Sequence, residues 1–199
     1  MVEIMEYLDE LSLVERAKDG DREALSSLVE AYENKIYRLA LRMTGDPTDA
    51  EDVLQETFVQ VVRHIDSFQG LSAFGTWIYR VASNQALMHI RKKSRADQRT
   101  DDMEDQEIAE MPTVGSDWSL APGASALRDE TRVQMSSAIA TLPEALRSVF
   151  LLRDVEELST AAVADILEIT VPAVKTRLHR ARLLLRESLS QYFEGDPDD

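Results

Sequence analysis

The chain has no cysteine among its 199 residues, so disulfides, zinc–thiolate sites and cysteine nucleophiles are excluded. Aromatic residues make up 6% and there are only 7 glycines, a composition that favours helices. No apolar run approaches the roughly 18 residues of a membrane span, and the first ten residues, MVEIMEYLDE, are acidic and unlike a signal peptide. These absences predict a soluble, cytoplasmic, mainly helical protein with no membrane insertion.

Basic side chains are in the minority, which makes their placement informative. Lys and Arg number 22 against 37 Asp and Glu, a formal net charge of −15, yet residues 171–186 hold five Lys or Arg and no acid. A cationic helix face on such a chain predicts binding to DNA phosphates; the alternative is a solvated amphipathic helix packed on its neighbour. Because the net charge opposes indiscriminate binding to nucleic acid, basic patches must be local or another protein must supply the rest of the attraction.

Residues 158–186 have the pattern of a helix-turn-helix unit. Ser159 and Thr170 are placed to cap two successive helices, and Pro172 falls in the first turn of the second, where its missing N–H costs nothing. Glu168 stands at the turn, where a left-handed backbone would suit glycine and would cost glutamate about 1 kcal/mol. Helical spacing predicts a buried apolar stripe on the second helix, made of Val174, Leu178, Ala181 and Leu185.

Residues 100–127 divide the chain. This segment has no Lys or Arg, residues 101–117 hold seven acids, and two prolines and two glycines interrupt helical periodicity. The composition predicts an acidic, flexible linker that either only solvates or occupies a groove of a partner. The fold class expected is all-α: two small helical domains, residues 1–99 and 128–199, joined by this linker, with the helix-turn-helix in the second.

The N-terminal half is divided into helices by clear breaks. Periodicity predicts a short helix over 12–18, a longer one capped by Asp21, a third starting at Thr48 or Asp49, and a fourth from about Ala73. The inner face of the third helix is expected to bury six residues: Val53, Leu54, Thr57, Phe58, Val61 and Val62.

Two segments of this half are candidate binding surfaces. Residues 46–56 hold five acids, which indicates either a binding surface or the ordinary preference of a helix N-terminus for acids. Several aromatic residues lie near Asn84 and the basic residues 91–95, a mixture that suits single-stranded nucleic acid. Phe74 and Trp77 fit a core better, whereas Phe68, in the polar loop 66–72, is the better candidate for a base contact.

The order of these motifs resembles the extracytoplasmic-function (ECF) sigma factors of bacterial RNA polymerase. Three segments of the chain resemble region 2 of that family: DAEDVLQETF at 49–58, DSFQG at 66–70 and FGTWIYRVASN at 74–84. Two further segments resemble region 4: LPEALRSVF at 142–150 and VKTRLHRAR at 174–182. The resemblance extends from about residue 13 to residue 189, with a variable linker at the expected place and no third domain.

The resemblance implies an alternative sigma factor that directs promoter-specific initiation by −35 duplex readout and −10 single-strand capture. The residues implied for binding the clamp of the largest polymerase subunit are Asp49, Asp52, Gln55 and Glu56. Those implied for −10 DNA are Phe68, Ser72, Asn84, Arg91 and Lys92. Those implied for −35 DNA are Lys175, Thr176, Arg177, His179, Arg180 and Arg182. The implied partners are core RNA polymerase, also through the flap of its second-largest subunit, promoter DNA and an anti-sigma factor.

The chain departs from the family pattern at four places, and these affect the promoter sequence that would be read. Gly75 stands where a larger residue is usual, Met88 where a polar one is usual, Glu168 at the turn glycine, and Pro172-Ala173 in place of Gly-Thr.

Two other classes of protein remain open. An autonomous helix-turn-helix regulator would bind its operator without polymerase, and for a dimer no spare dimerisation helix is present. An all-helical adaptor would bind protein alone, leaving the basic faces without DNA. An enzyme is not expected, nor a cofactor or metal, since the three histidines are dispersed and no glycine-rich phosphate loop occurs.

Overall fold

A computed structural model describes residues 2–70, 72–97 and 134–194, and the side chains of 9–70, 72–94 and 134–190. Within those ranges the chain is helical and contains no strand, which confirms the all-α class. The linker expected at 100–127 lies outside the described residues. No helix in the described part is long and apolar enough to cross a membrane. The helices form two compact units, each described in turn.

The first unit contains four α-helices. They are α1 Val2–Lys18, α2 Arg22–Thr44, α3 Pro47–His64 and α4 Phe74–Asp97, with a 3-10 turn at Ile65–Ser67. The expectation of a short first helix over 12–18 is wrong, because α1 begins ten residues earlier. Glu10, in this extension, accepts a hydrogen bond from the Tyr32 hydroxyl of α2. Such a contact between helices leaves no periodic signal in the sequence.

Two aspartates set the helix starts in this unit. The Asp21 carboxylate accepts from the backbone N–H groups of Glu23 and Ala24 at 2.9 and 3.2 Å, which confirms it as the cap of α2. Asp46 caps α3 in the same way, with Pro47 in the first turn. The start expected at Thr48 or Asp49 is therefore one or two residues late.

The core of the first unit is centred on Phe74, which is fully buried at the start of α4. The rings of Tyr32, Phe68 and Trp77 surround it at centroid distances of 5.5, 5.7 and 5.6 Å. Phe68 is only 6% exposed, which argues against its role as the better candidate for a base contact. Its ring fills the space between the loop and α4, and burial of so large an apolar surface outweighs the polarity of its neighbours.

Gly75 is explained by the contact between α2 and α4. A Cβ atom built at this position would lie 2.8 Å from the Tyr32 hydroxyl oxygen, which is closer than a methyl carbon approaches an oxygen atom. Burial and the Glu10 carboxylate both raise the pKa of Tyr32, so its hydroxyl stays a donor. Glycine at 75 thus makes room for the partly buried Tyr32–Glu10 hydrogen bond.

The inner face of α3 is as expected at three of its six positions, while Leu54 and Phe58 are only half-buried. Val53, Thr57 and Val61 are buried, and the Thr57 hydroxyl donates to the Val53 carbonyl at 2.7 Å. Val62 is an error of the sequence analysis, since its side chain is 51% exposed. A window of 18 residues cannot distinguish the edge of an apolar stripe from its centre when neighbouring positions are all apolar.

The second unit is described from residue 134 onward. Its elements are α5 at 134–141, α6 Glu144–Phe150, a π-helical turn Leu151–Val155, α7 Thr160–Leu167 and α8 Val171–Glu194. Helices α6 and α8 pack together. Residues from four of these elements are fully buried in the core: Val149, Leu151, Leu152, Val163, Val174 and Ala181.

Candidate functional site

The helix-turn-helix predicted for the second unit is present in α7 and α8. The Ser159 hydroxyl accepts from the Ala162 N–H at 3.1 Å, and the Thr170 hydroxyl from the Ala173 N–H at 3.3 Å, so both caps are confirmed. Glu168 has φ of 55°, the left-handed conformation expected at the turn. It therefore carries a strain of about 1 kcal/mol that glycine would not.

One face of α8 is buried and the other is presented outward. The predicted stripe is confirmed, since Val174, Leu178, Ala181 and Leu185 are at most 9% exposed. Among the six residues expected to read −35 DNA, Lys175 is exposed and the other five are partly exposed. The cationic face is thus held by the packing of the apolar one, in the geometry of a recognition helix.

Arg182 differs from the other members of that set. Its Nε and Nη2 atoms donate to the two carboxylate oxygens of Asp154, both at 2.8 Å. This hydrogen-bonded pair raises the pKa of Arg182. Because Asp154 lies in the π-helical turn, the pair fixes α8 to the segment that precedes α7. No local pattern in the sequence indicates a partner 28 residues away.

The segment before α7 is unusual in a second respect. Glu157 also has φ of 55°, so left-handed glutamates stand on both sides of α7. A π-helical turn is rare and is frequently found at functional sites. Neither feature could be found in the sequence, because nothing about Glu157 or the string LLRDV distinguishes it from an ordinary helix end.

In the first unit, a groove of about 780 Å³ lies between α3 and α4. Three of the four residues expected to bind polymerase line it, and so do two of the five expected to bind −10 DNA. The lining residues are Asp52, Val53, Gln55, Glu56 and Val59 of α3, and Gln85, Met88, His89, Arg91 and Lys92 of α4. Of the rest, Asn84 and Ser72 are exposed, and Phe68 is buried and so is not accessible to a base.

The two walls of this groove carry opposite charges and share an apolar component. Asp52 and Glu56 stand on the α3 wall, while Arg91 and Lys92 stand on the α4 wall. Val59 is 38% exposed and Met88 63%. Sequence reasoning missed Val59 as a surface residue and treated Met88 only as a departure; an apolar residue out of phase with the buried stripe is the signal that could have found both.

Asp49 lies in the first turn of α3 and is engaged by α4. Its carboxylate accepts from Lys93 Nζ at 2.6 Å and lies 3.1 Å from His89 Nε2. The hydrogen bond from Lys93, then that from His89, holds the pKa of Asp49 below its usual value. With its side chain 15% exposed, Asp49 differs from Asp52 and Glu56, whose positions are exposed.

No metal site is formed by the described side chains. Nowhere among them do three histidine or carboxylate groups converge as ligands. Asp49 and His89 do meet, but their common neighbour is the Lys93 ammonium, a cation that would repel a metal ion. The polar chemistry of both units is that of charged surfaces.

Comparison with known proteins assigns both units. Residues 28–96 match Sigma-70 region 2, and residues 132–185 match Sigma-70, region 4. The ECF RNA polymerase sigma factor SigW of Bacillus subtilis is 36% identical over 88% of this chain and 94% of its own length. The ECF RNA polymerase sigma-E factor of Haemophilus influenzae is 35% identical over 92% of this chain and 97% of its own.

Solved structures show the same fold. CnrH, solved in complex with the cytosolic domain of CnrY, matches with a TM-score of 0.63 and 24% identity over 95% of this chain and 99% of that one. The sigma factor RpoE of Bartonella quintana, solved with the anti-sigma factor NepR, matches with a TM-score of 0.63 and 22% identity over 83% of this chain and 96% of that one. With both regions matched and relatives covered almost end to end, the chain belongs to the ECF sigma factors of RNA polymerase, which are DNA-binding initiation factors and not enzymes.

Proposed function

We propose that this alternative sigma factor reads −35 duplex DNA with α8, captures single-stranded −10 DNA with the loop and α4 of the first unit, and docks on the polymerase clamp through α3. The observation that carries this proposal is the outward cationic face of α8 on a capped helix-turn-helix, in a chain of net charge −15. Such a chain needs a partner to bring that face to DNA.

For the −35 element, the N-terminal half of α8 would enter the major groove. Lys175, Thr176 and Arg180 are the residues that we expect to approach bases and phosphates, with Arg177 and His179 beside them. Arg182 was expected to contact DNA as well. Its bidentate pair with Asp154 favours a different role, in which it sets the angle of α8.

For the −10 element, the exposed side chains of Asn84 and Ser72 are the candidates for a base extruded from the opened duplex. Arg91 and Lys92, on the last turns of α4, would bind the phosphates that follow. Phe68 supports this surface from below, because its ring packs at 5.4 Å from that of Trp77 and holds the loop against α4.

For polymerase, the acidic wall of the α3–α4 groove would meet a cationic surface, the clamp of the largest subunit. Asp52, Gln55 and Glu56 supply the polar contacts, and we add Val59 and Met88 as an apolar component that removes exposed hydrophobic surface on docking. The flap of the second-largest subunit is proposed as the partner of the second unit.

The organisation of the chain follows from these roles. We propose that residues 1–99 form the polymerase-binding and −10 domain and residues 128–199 the −35 domain. Residues 100–127 would form an acidic linker that follows a basic path on polymerase. Since the partners are polymerase and promoter DNA, we propose a cytoplasmic location. The structure of the sigma factor RpoE with the anti-sigma factor NepR supports an anti-sigma factor as a further partner.

Fluorescence anisotropy with labelled duplex promoters, with and without purified core polymerase, tests the proposal. We expect the isolated chain to bind duplex DNA weakly and the complex with core to select specific promoters. Arg180→Ala should then cost about 1–3 kcal/mol of −35 discrimination, whereas Asn84→Ala should affect only −10 selection and opening. Tight, specific binding by the chain alone, unchanged by core, would instead favour an autonomous regulator.

A further inference from the structure

In the first unit, the start of α3 and the end of α4 carry opposite charges and touch. The basic end of α4, defined as Arg91, Lys92 and Lys93, includes residues proposed to bind DNA phosphates. Lys93 of this basic end already has a partner within the protein, since its Nζ atom lies 2.6 Å from an Asp49 carboxylate oxygen. His89 lies 3.1 Å from the other oxygen, so both oxygens of the carboxylate are engaged by side chains of α4.

The two partners of this ion pair differ in freedom. The Asp49 side chain is 15% exposed and contacts both Lys93 and His89, whereas the Lys93 side chain is 52% exposed. A lysine ammonium is a compact charge on a flexible four-carbon stem, and it exchanges one oxygen partner for another without moving the backbone. Lys93 is therefore the partner that can move away from the ion pair while Asp49 stays in place.

The acids that would meet polymerase follow Asp49 on the same helix. Asp52 and Glu56 lie three and seven residues further along α3, at positions that are exposed and line the groove beside the basic end. A cationic surface docked on them would offset the negative potential around Asp49. Leaving Asp49 for a phosphate would then cost Lys93 less free energy.

We propose that Asp49 is a positioning residue that withholds Lys93 from DNA in the isolated chain, and that docking of polymerase on α3 releases Lys93 to bind a phosphate of the −10 strand. This inference rests on the function proposed above. It assigns Asp49 an internal role in place of a direct polymerase contact, and it adds Lys93 to the DNA-binding surface. By linkage, polymerase and DNA must each raise the affinity for the other by the same factor.

The first experiment uses the isolated full-length chain and a fluorescein-labelled single-stranded DNA, with no polymerase. Asp49→Asn removes one charge and, with it, the ion pair between Asp49 and Lys93; the matched control Glu51→Gln removes one charge from an exposed position of the same helix. We expect Asp49→Asn to raise DNA affinity about 3- to 5-fold more than Glu51→Gln, the scale of one added phosphate contact. Equal gains in the two variants would mean that net charge alone acts, and would overturn the proposal.

The second experiment compares Lys93→Ala with its exposed neighbour Lys92→Ala, in the isolated chain and in complex with core polymerase. Lys93→Ala should change DNA affinity less than about 2-fold in the isolated chain but about 3- to 10-fold in the complex. Lys92→Ala should lower it by a similar factor in both. If Lys93→Ala acts equally in the two settings, Lys93 is not withheld and the proposal is wrong.

The two experiments separate this inference from the proposed function. If core polymerase does not bind the chain, the proposed function fails and release by polymerase fails with it, while the first experiment still reports whether Asp49 withholds Lys93. Circular dichroism confirms that each variant is folded. Should Asp49→Asn unfold, the lysine variants carry the test, since both keep the Asp49 carboxylate.

Discussion

The two units build their candidate surfaces in different ways. In the second unit, the −35 set lies within eight consecutive residues of α8, and capping and periodicity arise from neighbours in the sequence. In the first unit, the surface combines α3, a loop and α4, and its details depend on contacts between residues far apart, such as Asp49 with Lys93 and Tyr32 with Gly75. The caps and the buried face of one helix are readable from sequence, whereas contacts between helices are not.

This difference accounts for what sequence analysis achieved. The caps Ser159 and Thr170 and the buried stripe of α8 were predicted, and Glu168 was identified as the position where a left-handed backbone would bring strain, because each depends on residues within one or two turns. The burial of Phe68 could not be predicted, because its partners Phe74 and Trp77 come from the next helix.

The same limit applies to the ion pairs. The resemblance to the ECF sigma factors implied that Arg182 and Asp49 both contact other molecules. Each has an internal partner, 28 residues away for Arg182 and 44 for Asp49. Periodicity places a charge on a face of a helix but says nothing about which other helix meets that face.

The largest effect that we expect tests the tertiary origin of the first surface. Phe68→Ala should destabilise the first unit by about 3 kcal/mol, because it removes a buried ring from the cluster around Phe74. Phe68→Leu, which keeps most of the apolar volume, should cost clearly less. Calorimetric unfolding of the full-length chain measures both variants.

An unchanged unfolding transition in Phe68→Ala, together with loss of −10 DNA binding, would contradict this prediction. It would show that Phe68 is an exposed base contact, as its polar loop suggested, and the two units would then be equally readable from sequence.

The second prediction concerns the close approach at Gly75. Gly75→Ala should destabilise the chain by about 1–3 kcal/mol, because the added methyl group would overlap the Tyr32 hydroxyl. In a Tyr32→Phe background the hydroxyl is absent, and the same substitution should become neutral or stabilise by up to about 1 kcal/mol, since alanine is the better helix former. Denaturation of the four variants gives the coupling between the sites.

If Gly75→Ala has the same effect in both backgrounds, the Tyr32 hydroxyl is not the reason for glycine. The departure of this chain from its family at residue 75 would then have its cause elsewhere.

The third prediction tests whether Arg182 is a positioning residue. Arg182→Ala and Asp154→Ala should each lower stability by about 1 kcal/mol, a modest value because the pair is partly exposed, and the double variant should cost no more than either. Asp154→Ala should also weaken −35 discrimination, since α8 loses its anchor. A rise in promoter affinity would show instead that Arg182, once released, contacts DNA directly.

The smallest effect separates local strain from tertiary contact in the second unit. Glu168→Gly should stabilise α7 and α8 by about 0.5–1 kcal/mol, because glycine adopts the positive φ without the clash that glutamate suffers. Glu168→Ala removes the same charge but keeps the Cβ, so it should give no such gain. Hydrogen–deuterium exchange of α8 in the full-length chain measures the difference locally. Equal protection in the two variants would mean that the charge of Glu168, and not its backbone conformation, sets the energy of the turn. The turn would then depend, like the first unit, on contacts between residues far apart in the sequence.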